Sequence, residues 1–182
     1  RLVTVGSQVT MPNGQLAVQF LNEMIALRSG QLAGQILAEE LLIDSKTSID
    51  NMFFNNGHVD PRVYRALTHD GIDVPSIGLL QQYLVLATRG VLLDSGKTFS
   101  YAALLPNVQA PILVSCGAAD QLAPPSVQQT IYERVGSTDK TLMYFGRAQG
   151  FAADAGHSDA LVGLTSRQQV YPYLENWMLG AR

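Results

Sequence analysis

The residues of this sequence best suited to chemistry are an aspartate and a histidine that follow two successive apolar runs. Asp120 comes shortly after the run at 111–117, and His157 lies in the polar, glycine-containing stretch after the run at 141–146. Short apolar runs bounded by proline or glycine are typical of buried parallel strands. Reactive side chains of an open parallel sheet lie at the carboxyl ends of its strands. The sequence therefore predicts that Asp120 and His157 meet at one edge of a sheet.

A carboxylate beside a histidine can support acid–base chemistry. It fixes the tautomer of the imidazole and stabilises the imidazolium that forms when the ring accepts a proton. By itself, an aspartate after a strand is usually a turn residue, and a loop histidine beside glycine is usually only solvated. The order of the two residues and their strand context favour the catalytic interpretation, with Asp120 as the acid and His157 as the base.

Three other carboxylates compete with Asp120 for the role of acid. Asp154 and Asp159 flank His157, but they lie too near in sequence to approach the ring from the opposite side. Asp139 precedes its predicted strand, so we expect it at the wrong end of the sheet. Asp120 is therefore the preferred partner of His157.

Strands and helices that would position this pair alternate along the sequence. Strands are predicted at 1–6, 111–117 and 141–146. A helix is expected to begin at Pro124, with Ser126 and Gln129 spaced as a capping box. The last helix covers about 166–179, and Pro172 should kink it or delay its start. This alternation predicts an α/β fold class with a parallel, doubly wound sheet and right-handed connections.

The remaining sequence is rich in helical patterns. Apolar residues recur at helical spacing over 14–43, and short amphipathic segments continue to about residue 105. A sheet of three strands would leave an open edge and uncovered apolar surface. The first strand also begins at residue 1 without a preceding loop, so we expect the chain to be a piece of a longer protein whose N-terminal part is missing here.

The composition excludes several classes of function. The 182 residues carry a net charge of −3 and no cluster of lysine and arginine, which argues against nucleic-acid binding. A single cysteine and three histidines do not form a zinc site, and we predict no cofactor. Apolar runs are too short for a transmembrane segment. No targeting segment is visible, so the expected location is cytoplasmic.

The segments around Asp120 and His157 resemble those of the α/β-hydrolases. Residues 111–125 have the pattern of the acid-bearing strand and loop in that family: an apolar strand, glycine, two residues, aspartate, then a proline-started helix. Residues 156–163 resemble the histidine loop of lipase-like and polyhydroxyalkanoate-synthase-like members. The resemblance implies a partial α/β-hydrolase fold with an inserted helical cap. Residues 1–12 and 106–182 would form the core, and residues 13–105 the helical connection and cap.

The same resemblance implies that the nucleophile lies outside this sequence. In that family the triad follows the order serine, aspartate, histidine, and the serine belongs to a G-x-S-x-G turn. No such turn occurs here. Ser7 follows Gly6 but lacks the second glycine, so we expect it to line the substrate pocket, as we expect of Leu122. The oxyanion hole would also be formed by the missing N-terminal segment.

The function that these residues imply is hydrolysis or acyl transfer. We expect a serine-type enzyme acting on a small-molecule ester or thioester with an apolar acyl group, inactive as this fragment alone. Dehalogenases and epoxide hydrolases of the same fold use an aspartate nucleophile, and the present residues do not distinguish them from esterases. A non-catalytic, hydrolase-like binding domain is the third interpretation, which predicts that Asp120 and His157 point apart or that the upstream turn lacks a nucleophile.

Overall fold

The computed structural model of the chain describes residues 1–11, 18, 21, 22, 25, 53–55, 57–70 and 75–180. Most of the predicted helical segment at 14–43 lies outside these residues. The described residues belong to two compact units. The first unit draws on the ranges Arg1–Ser7, Lys46–Tyr64 and Leu105–Arg182, and the second on Gln8–Ser45 and Arg65–Leu104.

A parallel sheet of three strands lies in the first unit. Its strands are β1 (Leu2–Val5), β2 (Ile112–Gly117) and β3 (Lys140–Phe145), in the spatial order β1-β2-β3. Both neighbouring pairs are parallel. The central strand β2 is buried along its whole length, as its apolar composition predicts. The predicted parallel sheet is therefore confirmed.

The described helices have the following bounds. They are α1 (Pro61–Asp70), α2 (Ile77–Arg89), α3 (Pro125–Arg134), α4 (Asp159–Val162) and α5 (Tyr171–Leu179). Segments of 3₁₀-helix cover Tyr101–Asn107 and Arg147–Gln149, and a π-helical turn covers Ser166–Val170. Helix α3 packs on β2 and β3, and α5 contacts β1, so helices flank the sheet.

Two predictions about helix starts had different outcomes. Pro172 does delay the last helix, because α5 begins only at Tyr171, after the π-helical turn. The predicted capping box at Ser126 and Gln129 is wrong. Pro124 is the residue before the first turn of α3, and it makes no side-chain capping bond. The missing N–H of Pro125 leaves one fewer donor to satisfy at this terminus.

Each unit has its own apolar core. In the first unit, Phe145, Ala155, Ala160 and Val170 form a buried cluster beside the end of β3. In the second, five buried residues pack together around α2: Met11, Leu21, Leu80, Leu86 and Ala87. None of the helices among the described residues combines the length and apolarity that crossing a bilayer requires.

Candidate active site

Asp120 lies in the acid loop, residues 118–124, between β2 and α3. Its N–H donates to the carbonyl of Gly117 (3.2 Å), which turns the chain back immediately after the strand. Its Oδ1 accepts hydrogen bonds from the N–H groups of Leu122 (2.9 Å) and Ala123 (2.7 Å). The residue is only 3% exposed. The loop thus holds its own carboxylate in a fixed orientation and leaves Oδ2 for another partner.

His157 lies in the histidine loop, residues 146–158, between β3 and α4. The middle of this loop is joined to the ends of the strands. Ala155 donates to the carbonyl of Phe145 (3.1 Å) and accepts from the N–H of Ala119 in the acid loop (2.9 Å). The two loops therefore run side by side at the carboxyl ends of β2 and β3, where the sequence predicts reactive side chains.

The two predicted site residues are in hydrogen-bond contact. Nδ1 of His157 lies 3.0 Å from Oδ2 of Asp120. The aspartate side chain is fully buried, whereas the imidazole is 25% exposed. The roles of the two ring nitrogens depend on the tautomer: an imidazole that donates from Nδ1 to this carboxylate leaves Nε2 as an acceptor when the ring is neutral. None of the described residues is hydrogen-bonded to Nε2.

Gly6, which directly follows β1, lies against this pair. Its φ is +61°, a left-handed conformation that favours glycine. A Cβ added there would lie 2.9 Å from Cε1 of His157 and 3.3 Å from Oδ2 of Asp120. Its N–H donates to the carbonyl of Ser115 (2.8 Å), which continues the β1–β2 ladder. Only a residue without a side chain leaves room for the imidazole in this position.

Residues 53–55 contact the histidine loop on both sides of His157. The carbonyl of Phe53 accepts the N–H of Ser158 (2.7 Å), and Nδ2 of Asn55 donates to the carbonyl of Asp154 (2.6 Å). The ring of Phe53 meets the imidazole edge to face, with centroids 6.3 Å apart. This segment therefore supports the loop that carries the histidine.

Asp159 makes a further connection between these segments. Its Oδ2 accepts the N–H groups of Asn55 (2.8 Å) and Gly156 (3.0 Å). The residue is 2% exposed, and Oδ1 has no hydrogen-bond partner among the described residues. Burial raises the pKa of the Asp159 carboxyl, and the two donated N–H groups oppose that rise.

Ser7 and Leu122, the two predicted pocket residues, lie in different segments of the chain. Ser7 lies beyond β1, where its carbonyl accepts a hydrogen bond from Nε2 of the buried Gln128 (2.7 Å). Leu122 is half-buried in the acid loop. A small cavity beside the histidine loop is lined by Phe145, Phe151 and Asp159, among others, and Ser7 and Leu122 are not part of its lining.

The competing carboxylates have other partners. Oδ1 of Asp154 accepts the N–H of Arg147 (2.8 Å). Asp139 lies just before β3, and its carbonyl accepts the N–H of Ile112 at the start of β2, the opposite end of the sheet from Asp120.

Cys116 is buried in β2, and burial together with the charge of Asp120 raises the pKa of its thiol to about 12. Within the described ranges, no group of three or more potential ligand residues is arranged to hold a metal ion.

Sequence reasoning missed three contributors to this site. Gly6 was recognised only as the end of a strand, and Asp159 only as a competitor of Asp120. Asn55 lies within the predicted cap segment, and the sequence gives no sign that it contacts the histidine loop. Two small signals were present in the sequence: a glycine directly before His157, and an aspartate at the start of the helix after it. Neither signal identifies residues 53–55 as the segment that contacts the histidine loop.

Comparison with known proteins yields matches only among solved structures. No protein-family model and no curated protein matches the sequence. A thermophilic esterase from Thermogutta terrifontis aligns with a TM-score of 0.56 and 17% identity, over 98% of this chain and 55% of the esterase chain. Rv0554 from Mycobacterium tuberculosis aligns with a TM-score of 0.52 and 13% identity, over 99% of this chain and 56% of its own. This chain has part of the α/β-hydrolase fold.

A third solved structure also aligns with this chain. MGS-M2, an α/β-hydrolase enzyme from a Medee basin deep-sea metagenome library, has a TM-score of 0.48 and 17% identity, over 99% of this chain and 55% of that chain. The chain thus spans a little over half the length of the solved structures it matches. In the α/β-hydrolase fold the triad order is serine, aspartate or glutamate, then histidine. Asp120 precedes His157 in this chain, and the 182 residues contain no G-x-S-x-G turn.

Proposed function

We propose that the full-length protein is a serine-type hydrolase or acyltransferase that acts on an ester or thioester with an apolar acyl group. In this proposal His157 is the general base and then the general acid, and Asp120 orients it. The observation that carries the proposal is the 3.0 Å contact between Nδ1 of His157 and Oδ2 of a fully buried Asp120.

The proton transfers follow from this contact. With the Nδ1 proton donated to Asp120, Nε2 accepts the proton of a serine hydroxyl while the serine oxygen attacks the carbonyl carbon. Asp120 stabilises the imidazolium that results. The imidazolium returns this proton to the leaving alcohol or thiol, which leaves an acyl-enzyme. A water molecule or a second alcohol then repeats the sequence, with His157 taking its proton and returning it to the serine.

We propose that the nucleophile and the oxyanion hole come from residues outside this sequence. The chain covers 55% and 56% of the two solved structures with TM-scores above 0.5, which leaves room for a preceding segment of similar fold. A G-x-S-x-G turn would precede both Asp120 and His157 in the chain. On this proposal the 182 residues alone do not hydrolyse esters.

The chemistry of the substrate is proposed from two observations. The matched protein from Thermogutta terrifontis is an esterase, which supports an acyl substrate. The predicted cap at 13–105 is rich in leucine, isoleucine and phenylalanine, which supports an apolar acyl group. Ser7 and Leu122 remain proposed pocket residues, because Ser7 follows Gly6, which lies against the Asp120–His157 pair, and the N–H of Leu122 donates to Oδ1 of Asp120.

A labelling experiment on the full-length protein tests this function and separates it from the alternatives. A fluorophosphonate probe reacts covalently with a serine nucleophile that a histidine activates, and it does not react with an aspartate nucleophile. We expect labelling of the wild-type protein and none of His157→Ala. Wild-type protein that resists the probe but hydrolyses a haloalkane or an epoxide would favour the aspartate nucleophile. Protein without either activity would favour the binding domain.

A further inference from the structure

The position of His157 depends on contacts made by its neighbours in the chain. Hydrogen bonds join residues 53–55 to Asp154 and Ser158 of the histidine loop and to Asp159 at the start of α4, so they bracket the histidine on both sides. Three hydrogen bonds restrict the loop more than a single contact does, and each of them includes at least one main-chain group.

Asp159 is the residue that joins the two segments through one atom. Its Oδ2 accepts one N–H from the histidine loop, that of Gly156, and one from the opposing segment, that of Asn55. Its own carbonyl accepts the N–H of Gly163 (2.9 Å) and the hydroxyl of Ser166 (2.6 Å), which anchors the residue in the following helical turn. Loss of the Asp159 carboxylate would leave the N–H groups of Asn55 and Gly156 without this acceptor.

The close approach of the two segments leaves little freedom at Gly156. A Cβ added there would lie 2.6 Å from the nitrogen of Asn55 and 2.9 Å from the carbonyl carbon of Phe54. Backbone atoms cannot move away as a flexible side chain can. The residue directly before His157 is therefore packed against residues 54 and 55, and any separation of the segments is transmitted to the histidine.

We propose that Asp159 is a positioning residue for His157: its Oδ2 joins the histidine loop to residues 53–55 and so holds the imidazole against Asp120. This proposal deepens the proposed function and rests on it for its effect on catalysis. The role needs an acceptor oxygen at the place of Oδ2 rather than a negative charge. Both groups that donate to Oδ2 are neutral main-chain N–H groups, which supports this distinction.

The test compares Asp159→Ala with Asp159→Asn in the full-length protein. Asparagine keeps an oxygen that can accept both N–H groups, whereas alanine removes it. A displacement of about 1 Å in a reacting group can cost about a hundredfold in rate. We therefore expect Asp159→Ala to lower kcat by about tenfold to a hundredfold with little change in KM, and Asp159→Asn to restore most of that loss.

A spectroscopic readout makes the test independent of the enzymatic activity. A histidine N–H donated to a carboxylate gives a far-downfield proton resonance, which we expect for the Nδ1 proton of His157. The resonance should persist in Asp159→Asn and be lost or broadened in Asp159→Ala. Asp94→Ala is the matched control, since the Asp94 carboxylate also accepts two backbone N–H groups, those of Thr98 and Phe99, but lies in the second unit. It should leave the resonance in place.

Each outcome decides the proposal. An unchanged resonance in Asp159→Ala overturns it, and so does an equal loss in Asp159→Asn, which would assign the effect to charge. If Asp159→Ala does not fold, Gly156→Ala takes its place, because the added methyl separates the segments without removing a polar group; an unchanged resonance there also overturns the proposal. The expected resonance pattern in a protein without hydrolase activity would support the positioning role and contradict the proposed function.

Discussion

The acid loop and the histidine loop reach the same edge of the sheet by different means. Asp120 is fixed by N–H groups two and three residues further along its own loop, at Leu122 and Ala123. His157 belongs to a longer loop whose orientation depends on residues about a hundred positions away, at Phe53 and Asn55. The carboxylate is therefore positioned by local sequence, and the imidazole by tertiary structure. Substitutions in residues 53–55 should therefore displace His157 more than Asp120.

The largest expected effect comes from Asp120→Asn in the full-length protein. Asparagine retains an acceptor for Leu122 and Ala123, so the acid loop should keep its conformation. The amide NH2 group then takes the place of Oδ2 and donates to Nδ1 of His157. This favours the tautomer with its proton on Nε2, which cannot accept a proton there. The equivalent substitution in a serine protease triad costs about 10⁴-fold in kcat. We expect a loss of that order with little change in melting temperature; a loss below about tenfold would contradict the role of Asp120.

The second effect tests how closely the chain packs against the imidazole. Gly6→Ala places a methyl group 2.9 Å from Cε1 of His157, which should displace the ring and lower kcat by about tenfold to a hundredfold. The positive φ also costs about 1–2 kcal/mol of stability. Assays of kcat and of thermal unfolding measure the two effects separately.

A matched control for Gly6→Ala separates the collision from the backbone strain. Gly150 has a φ of +87° and no atom within 4 Å of a Cβ added there. Gly150→Ala should therefore lose stability to a similar extent and keep its activity. Equal losses of activity in the two variants would mean that strain, rather than contact with His157, explains the effect of Gly6→Ala.

A smaller effect is expected from Asn55→Ala, which removes one of the distant supports. The variant loses the hydrogen bond from Nδ2 to the carbonyl of Asp154 but keeps the backbone N–H that binds Asp159. A hydrogen bond of this kind contributes about 1 kcal/mol of stability. Denaturant unfolding should detect that loss, together with a modest fall in kcat. The exposed Asn107 offers a control, and similar behaviour of Asn107→Ala would indicate that the support at Asn55 is unimportant.

The smallest effect is expected at Cys116, in the strand that precedes the acid loop. Burial raises the pKa of the thiol to about 12, so the folded protein should not react with thiol reagents near neutral pH. Because the folded state holds this proton more tightly, its contribution to stability is present below about pH 8.5 and is lost as the pH rises towards about 12. Unfolding of Cys116→Ala should lack that part of the alkaline decline. Rapid labelling of native Cys116 would contradict the buried environment.

The difference between the two loops also explains what the sequence could predict. The strand before Asp120, the glycine that ends it and the proline-started helix are all local signals, and the structure has each of them. The capping box at Ser126 failed because the N-cap position is occupied by Pro124, two residues earlier, which has no side-chain acceptor. The approach of residues 53–55 to Gly156 has no local signal, since a backbone contact across such a separation leaves no residue pattern at either position.

The tautomer of His157 provides the most direct test of the account. The ¹⁵N chemical shifts of its ring nitrogens distinguish a protonated from an unprotonated nitrogen in the full-length protein at a pH where the ring is neutral. We predict a protonated Nδ1 and an unprotonated Nε2 in the wild-type protein, and a change of that pattern in Asp120→Asn. A neutral ring protonated at Nε2 in the wild-type protein would contradict the orientation by Asp120 on which the proposed mechanism depends.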